Sequence, residues 1–178
     1  MNIHPVKQEI KLDSGWTAAL PGDVFLAYEN GALYLTGGET PVREVKITFN
    51  ARIPEETLIL GDAWERGYGE LKWRKPTDTD VLPWYFLAKI NGKTLCFGVK
   101  TQPNAMCYWK VEEGTVCLYA DVASGARGVR LIGRTLKIAD VVFADYQEDP
   151  LDAAADFCGK LCDNPRLPKA PVYGGNDW

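Results

Sequence analysis

The sequence predicts an all-β protein, an antiparallel β-sandwich followed by one C-terminal helix and an extended linker. Three observations carry that prediction. Polar and apolar residues alternate with period two along most of the chain. Glycine-containing turn pairs recur about every ten residues between the alternating runs, which is the spacing of a sandwich. Helical spacing of apolar residues occurs once, near the end.

The elements follow in order. "VFLAYENGALYL" holds two short strands around Asn30-Gly31, and "WYFLAKINGKTLCFGVK" repeats the arrangement around Asn91-Gly92. Asn-Gly accepts the positive φ angles of a type I′ turn, so both segments read as tight hairpins. Between them, "REVKITFNARI" places Val45, Ile47, Phe49, Ala51 and Ile53 on one face of a half-buried strand. Glu44, Lys46, Thr48, Asn50 and Arg52 fall on the other face. "AMCYWKVEEGTVCLYADV" predicts a third hairpin, turning at Glu113-Gly114, and "GVRLIGRTLKIADVVFADY" supplies further strands.

The period changes at "DPLDAAADFCGKLCDNP", where Leu151, Ala154, Ala155, Cys158, Leu161 and Cys162 recur at helical spacing. Asp149 suits the N-cap, Pro150 the first helical position, and Asp152 the positive end of the helix dipole. Three prolines in "NPRLPKAP" then impose an extended linker. The organisation is a sandwich over residues 1–147, a helix over 148–164, and a linker over 165–178.

Composition narrows the function. The chain has 178 residues, a formal net charge of −4 and no Lys/Arg-rich run, which argues against nucleic acid as a partner. No apolar run approaches the ~18 residues of a membrane span. Five scattered cysteines fit reduced thiols in a cytoplasmic protein better than a disulfide framework. Cys158 and Cys162 read as buried thiols, because a zinc site would need further ligands at suitable spacing. The single histidine, His4, sits near the start and is expected to be solvent-exposed, so histidine-based catalysis is not expected. No metal and no cofactor are expected.

The segment "LGDAWERGYGELKWRKPTDTD" breaks the alternation. Asp62, Glu65, Arg66 and Glu70 interleave there with Trp64, Tyr68 and Trp73. This chemistry suits sugars: flat rings stack on a pyranose face while charged groups hydrogen-bond its hydroxyls. The structural alternative is a tryptophan core with a solvated Glu65–Arg66 pair. "TQPNAMCYWK" reads as another polar-aromatic turn, and "SGARGVRLIGR" as strand edges and turns rather than a nucleotide loop.

"LGDAWERGYGELKWR" and the terminal "PVYGGNDW" together resemble the N-terminal region of α-galactosidase-like glycoside hydrolases, the melibiase group of glycoside hydrolase family thirty-six. The resemblance implies a galactose mutarotase-like supersandwich preceding a (β/α)8 barrel, with residues 165–178 holding the linker and the first residues of that barrel. It places the two catalytic aspartates of a retaining hydrolase in the barrel, so no catalytic residue is assigned to this chain. It implies that Trp64 is presented to the sugar with Asp62, Glu65 and Arg66 beside it, and that Asp177 and Trp178 border the same site. The implied partners are an α-linked galactoside or related sugar and the protein's own barrel, with no nucleic acid and no membrane. Two alternatives stand beside this expectation: an independent carbohydrate-binding module and a plain interaction domain.

Overall fold

A computed structural model describes residues 2–65, 71–147, 149–166, 168–171 and 174. Among them are twelve strands: β1 (Pro5–Leu12), β2 (Gly15–Thr17), β3 (Val24–Glu29), β4 (Ala32–Gly37), β5 (Glu44–Arg52), β6 (Leu58–Gly61), β7 (Leu82–Pro83), β8 (Tyr85–Ile90), β9 (Lys93–Val99), β10 (Met106–Glu112), β11 (Thr115–Asp121) and β12 (Thr135–Tyr146). One helix, α1 (Pro150–Leu161), follows. Two antiparallel six-stranded sheets form, in the orders β2-β1-β5-β11-β10-β7 and β3-β4-β12-β9-β8-β6. The protein is therefore an all-β sandwich with one short C-terminal helix. No helix among the described residues is long and apolar enough to cross a membrane.

The three predicted hairpins form where the turn pairs place them. Each pair has positive φ at both residues: 51° and 82° at Asn30-Gly31, 51° and 75° at Asn91-Gly92, 48° and 73° at Glu113-Gly114. The alternation of β5 holds as well, with Val45, Ile47 and Phe49 fully buried. They meet Cys107 and Trp109 of β10, Leu118 of β11, and Phe86 and Phe97 of the opposite sheet in one core. Phe86 and Phe97 stack at its centre, centroids 4.6 Å apart and planes within 7°.

Three sequence expectations change. Residues 128–134 contribute only an isolated bridge, Val42 to Val129, before β12 begins at Thr135. β12 is one twelve-residue strand that pairs first with β4 and then with β9, so it joins the two halves of its sheet. The N-terminal strands β1 and β2 were not expected, although Lys7, Glu9 and Lys11 alternate with Gln8, Ile10 and Leu12.

The third change is the helix face. α1 buries Ala153, Phe157 and Leu161, whereas Leu151 is 70% exposed and Cys158 is also exposed. The buried stripe docks on the outer side of the second sheet against Leu87, Cys96, Ala144 and Tyr146. The contact is centred on Gly98 of β9, where a Cβ would lie 2.9 Å from both Phe157 Cε1 and Leu161 Cδ2. Phe157 is the bulkiest apolar side chain of the helix, and the missing side chain at Gly98 makes the recess that receives it. This turns Cys158 outward and leaves Cys162 half-buried, so the expectation of two buried thiols there is corrected. The predicted cap does form: the Asp149 side chain accepts from the Leu151 N–H, with Pro150 in the first turn.

Candidate functional site

The chain changes sheets at a single residue. Leu82 and Pro83 of β7 pair with β10 in the first sheet, while Tyr85 opens β8 in the second. Trp84 lies between them with φ of 64°. That conformation costs a bulky residue about 1–3 kcal/mol and persists only where the surroundings fix it. Three hydrogen bonds do so. The Trp84 N–H donates to the Cys107 carbonyl at 3.2 Å, and the Trp84 carbonyl accepts from Val99 N–H at 3.0 Å and from the indole Nε1 of buried Trp109 at 3.2 Å. The corner is rigid because both sheets hold it.

Trp64 stands on this corner. Its ring is 5.2 Å from that of Trp84 at 86°, and 6.4 Å from that of Tyr108 at 73°. Both are edge-on packings of the kind aromatic quadrupoles favour. Trp64 nevertheless remains 47% exposed. The row continues across the outer face of the first sheet. Tyr108 stacks on Tyr119, its cross-strand partner, at 5.0 Å and 8°, and Trp16 meets Tyr119 edge-on at 5.6 Å.

Charged groups tie the row down in two parallel hydrogen-bond chains. Tyr108 Oη donates to Glu44 Oε2 at 3.1 Å, and Glu44 Oε1 accepts from Lys11 Nζ at 2.5 Å. Tyr119 Oη donates to Glu112, whose other oxygen lies 2.5 Å from Lys46 Nζ. Burial, reinforced by the neighbouring carboxylates, pushes both tyrosine hydroxyls above their ordinary range, so they remain donors at neutral pH. Burial opposes the ionised form of Glu112, but hydrogen bonds from Lys46 and Tyr119 outweigh it and hold the carboxyl below its usual value. Lys46 is also raised: burial works against its charge, and the bonds to Glu112 and Tyr119 prevail.

Of the residues named from sequence, Asp62, half-buried, follows β6 directly, and its Oδ1 accepts from the Ala63 N–H at 2.9 Å. Glu65 is exposed beside Trp64. Arg66, Asp177 and Trp178 lie outside the described residues, as do Tyr68 and Glu70. Trp73 leaves the corner; it packs near the helix side of the second sheet, with Lys89 Nζ 4.2 Å from its ring centroid. His4 is exposed and bonded to Asn50.

Trp84, Tyr108, Tyr119 and Trp16 were missed. The third hairpin places "MCYWKVE" in β10, as its alternation predicts, with Tyr108 outward and Trp109 inward, so the reading of "TQPNAMCYWK" as a turn holds only before Met106. A cleft of about 540 Å³ lies elsewhere, between Arg52, Glu55, Asp78 and Glu113. Its polar groups already bond one another: Arg52 donates to the Glu113 carbonyl and the Glu113 N–H donates to Asp78. Among the described residues, no group of three or more His, Cys, Asp or Glu side chains is placed to hold a metal ion. The corner therefore offers stacking surfaces and fixed hydrogen-bond partners. No protein family, curated protein or solved structure matches this chain.

Proposed function

We propose that this chain is a non-catalytic, sugar-facing β-sandwich of an α-galactosidase-like glycoside hydrolase. Its task is to brace a catalytic barrel and lend the Trp64 corner to the rim of the sugar site. The observation that supports this reading is Trp64 itself: a half-exposed indole propped edge-on by Trp84 and Tyr108, with Asp62 and Glu65 beside it in the chain. The exposed part of an indole held this way is open to the apolar side of a pyranose. Its immobilisation is already supplied by the fold, so little side-chain entropy is lost when the sugar arrives. A retaining hydrolysis of an α-linked galactoside would be carried out by the barrel's own carboxylates.

The test combines the coding frame with an assay. An open frame continuing past codon 178 into a barrel, and no release of 4-nitrophenol from 4-nitrophenyl α-galactoside by this chain alone, are the expected results. A stop codon directly after Trp178 would overturn the domain role, and turnover by the isolated chain would overturn its inertness. A second reading, an independent carbohydrate-binding module, is favoured by the continuity of the row Trp16–Tyr119–Tyr108–Trp64–Trp84 within this one chain. Calorimetric titration of the chain with raffinose separates the two. Saturable heat supports the module, and its absence supports the rim role.

A further inference from the structure

Trp84 also walls a second hollow, which the proposed sugar corner leaves unused. It encloses about 380 Å³ between α1 and the start of β8 and end of β9. That volume falls at the small end of ligand pockets, which span about 300–1,000 Å³. Its floor is carbon: Trp84, Val99 and Leu161. Its rim carries Thr101, Gln102 and the outward-facing Cys158.

Backbone strain converges on this hollow. Seven non-glycine residues among those described have positive φ. Asn30, Asn91 and Glu113 are hairpin-turn residues, and Ala126 and Ile132 adjoin the positive-φ glycines Gly125 and Gly133. The remaining two are Trp84 at 64° and Gln102 at 62°, and both line the hollow. At Trp84 the strain is held by hydrogen bonds from both sheets, and strain held in this way clusters at ligand sites; Gln102 faces it from the exposed loop after β9.

The lining also defines the ligand. Lys100, at one end, is neutralised by Asp163, with Nζ 2.7 and 2.8 Å from the two carboxylate oxygens. No uncompensated charge therefore selects for an ion. The Gln102 amide and Thr101 hydroxyl make no side-chain hydrogen bond among the described residues and face solvent at the rim. We propose that the hollow binds a small uncharged aromatic compound of one or two fused rings, its ring against Trp84 and Leu161 and its polar edge toward Gln102 and Thr101. Nothing in the sugar reading is needed for this hollow, although the two sites share Trp84 as a common wall.

The test is a titration of the 178-residue chain with 2-naphthol, followed by the NMR shifts of the Val99 and Leu161 methyls and the Trp84 indole N–H. Saturable shifts with a Kd of roughly 0.1–1 mM are expected for a ligand of about eleven non-hydrogen atoms. Cys158→Phe fills the hollow from the exposed face of α1 and is expected to weaken binding at least tenfold with an unchanged thermal midpoint. In the unmodified chain, 2-naphthol is expected to slow alkylation of Cys158 by iodoacetamide, a measurement that does not depend on the variant folding. Shifts that fail to saturate, saturable shifts confined to residues remote from the hollow, an unchanged Kd in C158F, or unprotected Cys158 at saturating probe would each overturn the proposal.

Discussion

Gly98→Ala is expected to loosen the helix from the sandwich by a predictable amount. Gly98 does not have positive φ, so alanine is acceptable to the backbone and the whole penalty falls on packing. The added methyl would lie 2.9 Å from Phe157 Cε1, 2.9 Å from Leu161 Cδ2 and 3.0 Å from Phe157 Cζ. Carbon atoms settle at about 3.5–4.0 Å, so the helix face must retreat by about 0.5–1 Å. Overpacking of this kind costs about 1–3 kcal/mol. Alanine recovers about 0.4–1 kcal/mol by restricting the unfolded chain, so the midpoints of the two ranges leave a net loss of about 1.3 kcal/mol. Phe157→Leu has the opposite defect, a void over β9, at a cost below the about 3–5 kcal/mol of truncation to alanine. In the double variant the methyl occupies part of the void. Urea unfolding of the four proteins is expected to give a double-variant cost smaller than the sum by at least about 0.5 kcal/mol. Strict additivity, or a neutral Gly98→Ala, would refute the reasoning that the missing side chain at Gly98 seats the helix.

Ile132 is a β-branched residue at φ of 53° and is 57% exposed. Ile132→Gly relieves left-handed strain of about 1–2 kcal/mol and gives up about 1 kcal/mol of apolar burial from the covered part of the side chain. With the entropy cost of glycine included, the terms nearly cancel and the thermal midpoint is expected to stay within about 2 °C; a fall of about 5 °C or more, as an unstrained isoleucine would give, would contradict the strain assignment. Glu112 has its folded pKa lowered, so its stabilisation is present above its unfolded value and is lost as pH falls through the lowered one. Glu112→Gln is therefore expected to cost about 1.5 kcal/mol at pH 7 and progressively less below about pH 4.5, read from urea unfolding across pH. A penalty that grows on acidification would contradict the direction of the shift. Burial pushes the Cys96 and Cys107 thiols up to about 12, and Cys117 is raised by the same cause. Ellman's reagent at pH 8 is expected to modify Cys158 and Cys162 in the native chain and the other three only on unfolding; rapid reaction of all five would contradict that burial.

Much of the sandwich was legible because its signals are local. Asn30-Gly31 and Asn91-Gly92 define hairpins through their own φ preferences, and Val45, Ile47 and Phe49 declare a buried face through spacing alone. The helix cap was legible for the same reason, since Asp149 and Pro150 act within one turn. The helix face was not. "DPLDAAADFCGKLC" carries two apolar stripes, and only the recess at Gly98, on a different strand, selects the one containing Phe157. The candidate site divides along the same line. Asp62, Trp64 and Glu65 form a visible cluster in the chain. Trp84 and Tyr108 reach Trp64 through a sheet change and a strand register that no local pattern encodes. Trp16 and Tyr119 meet because β2, β1, β5 and β11 lie side by side in the first sheet.

The measurement that bears most directly on the proposed role is the effect of Trp64→Ala on the kinetics of the protein translated from the gene's complete open frame. Trp64 is half-exposed, so the thermal midpoint should move by no more than a few degrees. With 4-nitrophenyl α-galactoside, KM is expected to rise about tenfold, the loss of one stacking contact of about 1.4 kcal/mol. An unchanged KM and kcat in the folded variant, or no hydrolysis of any α-galactoside by the unmodified protein, would contradict a sugar-site role for this corner.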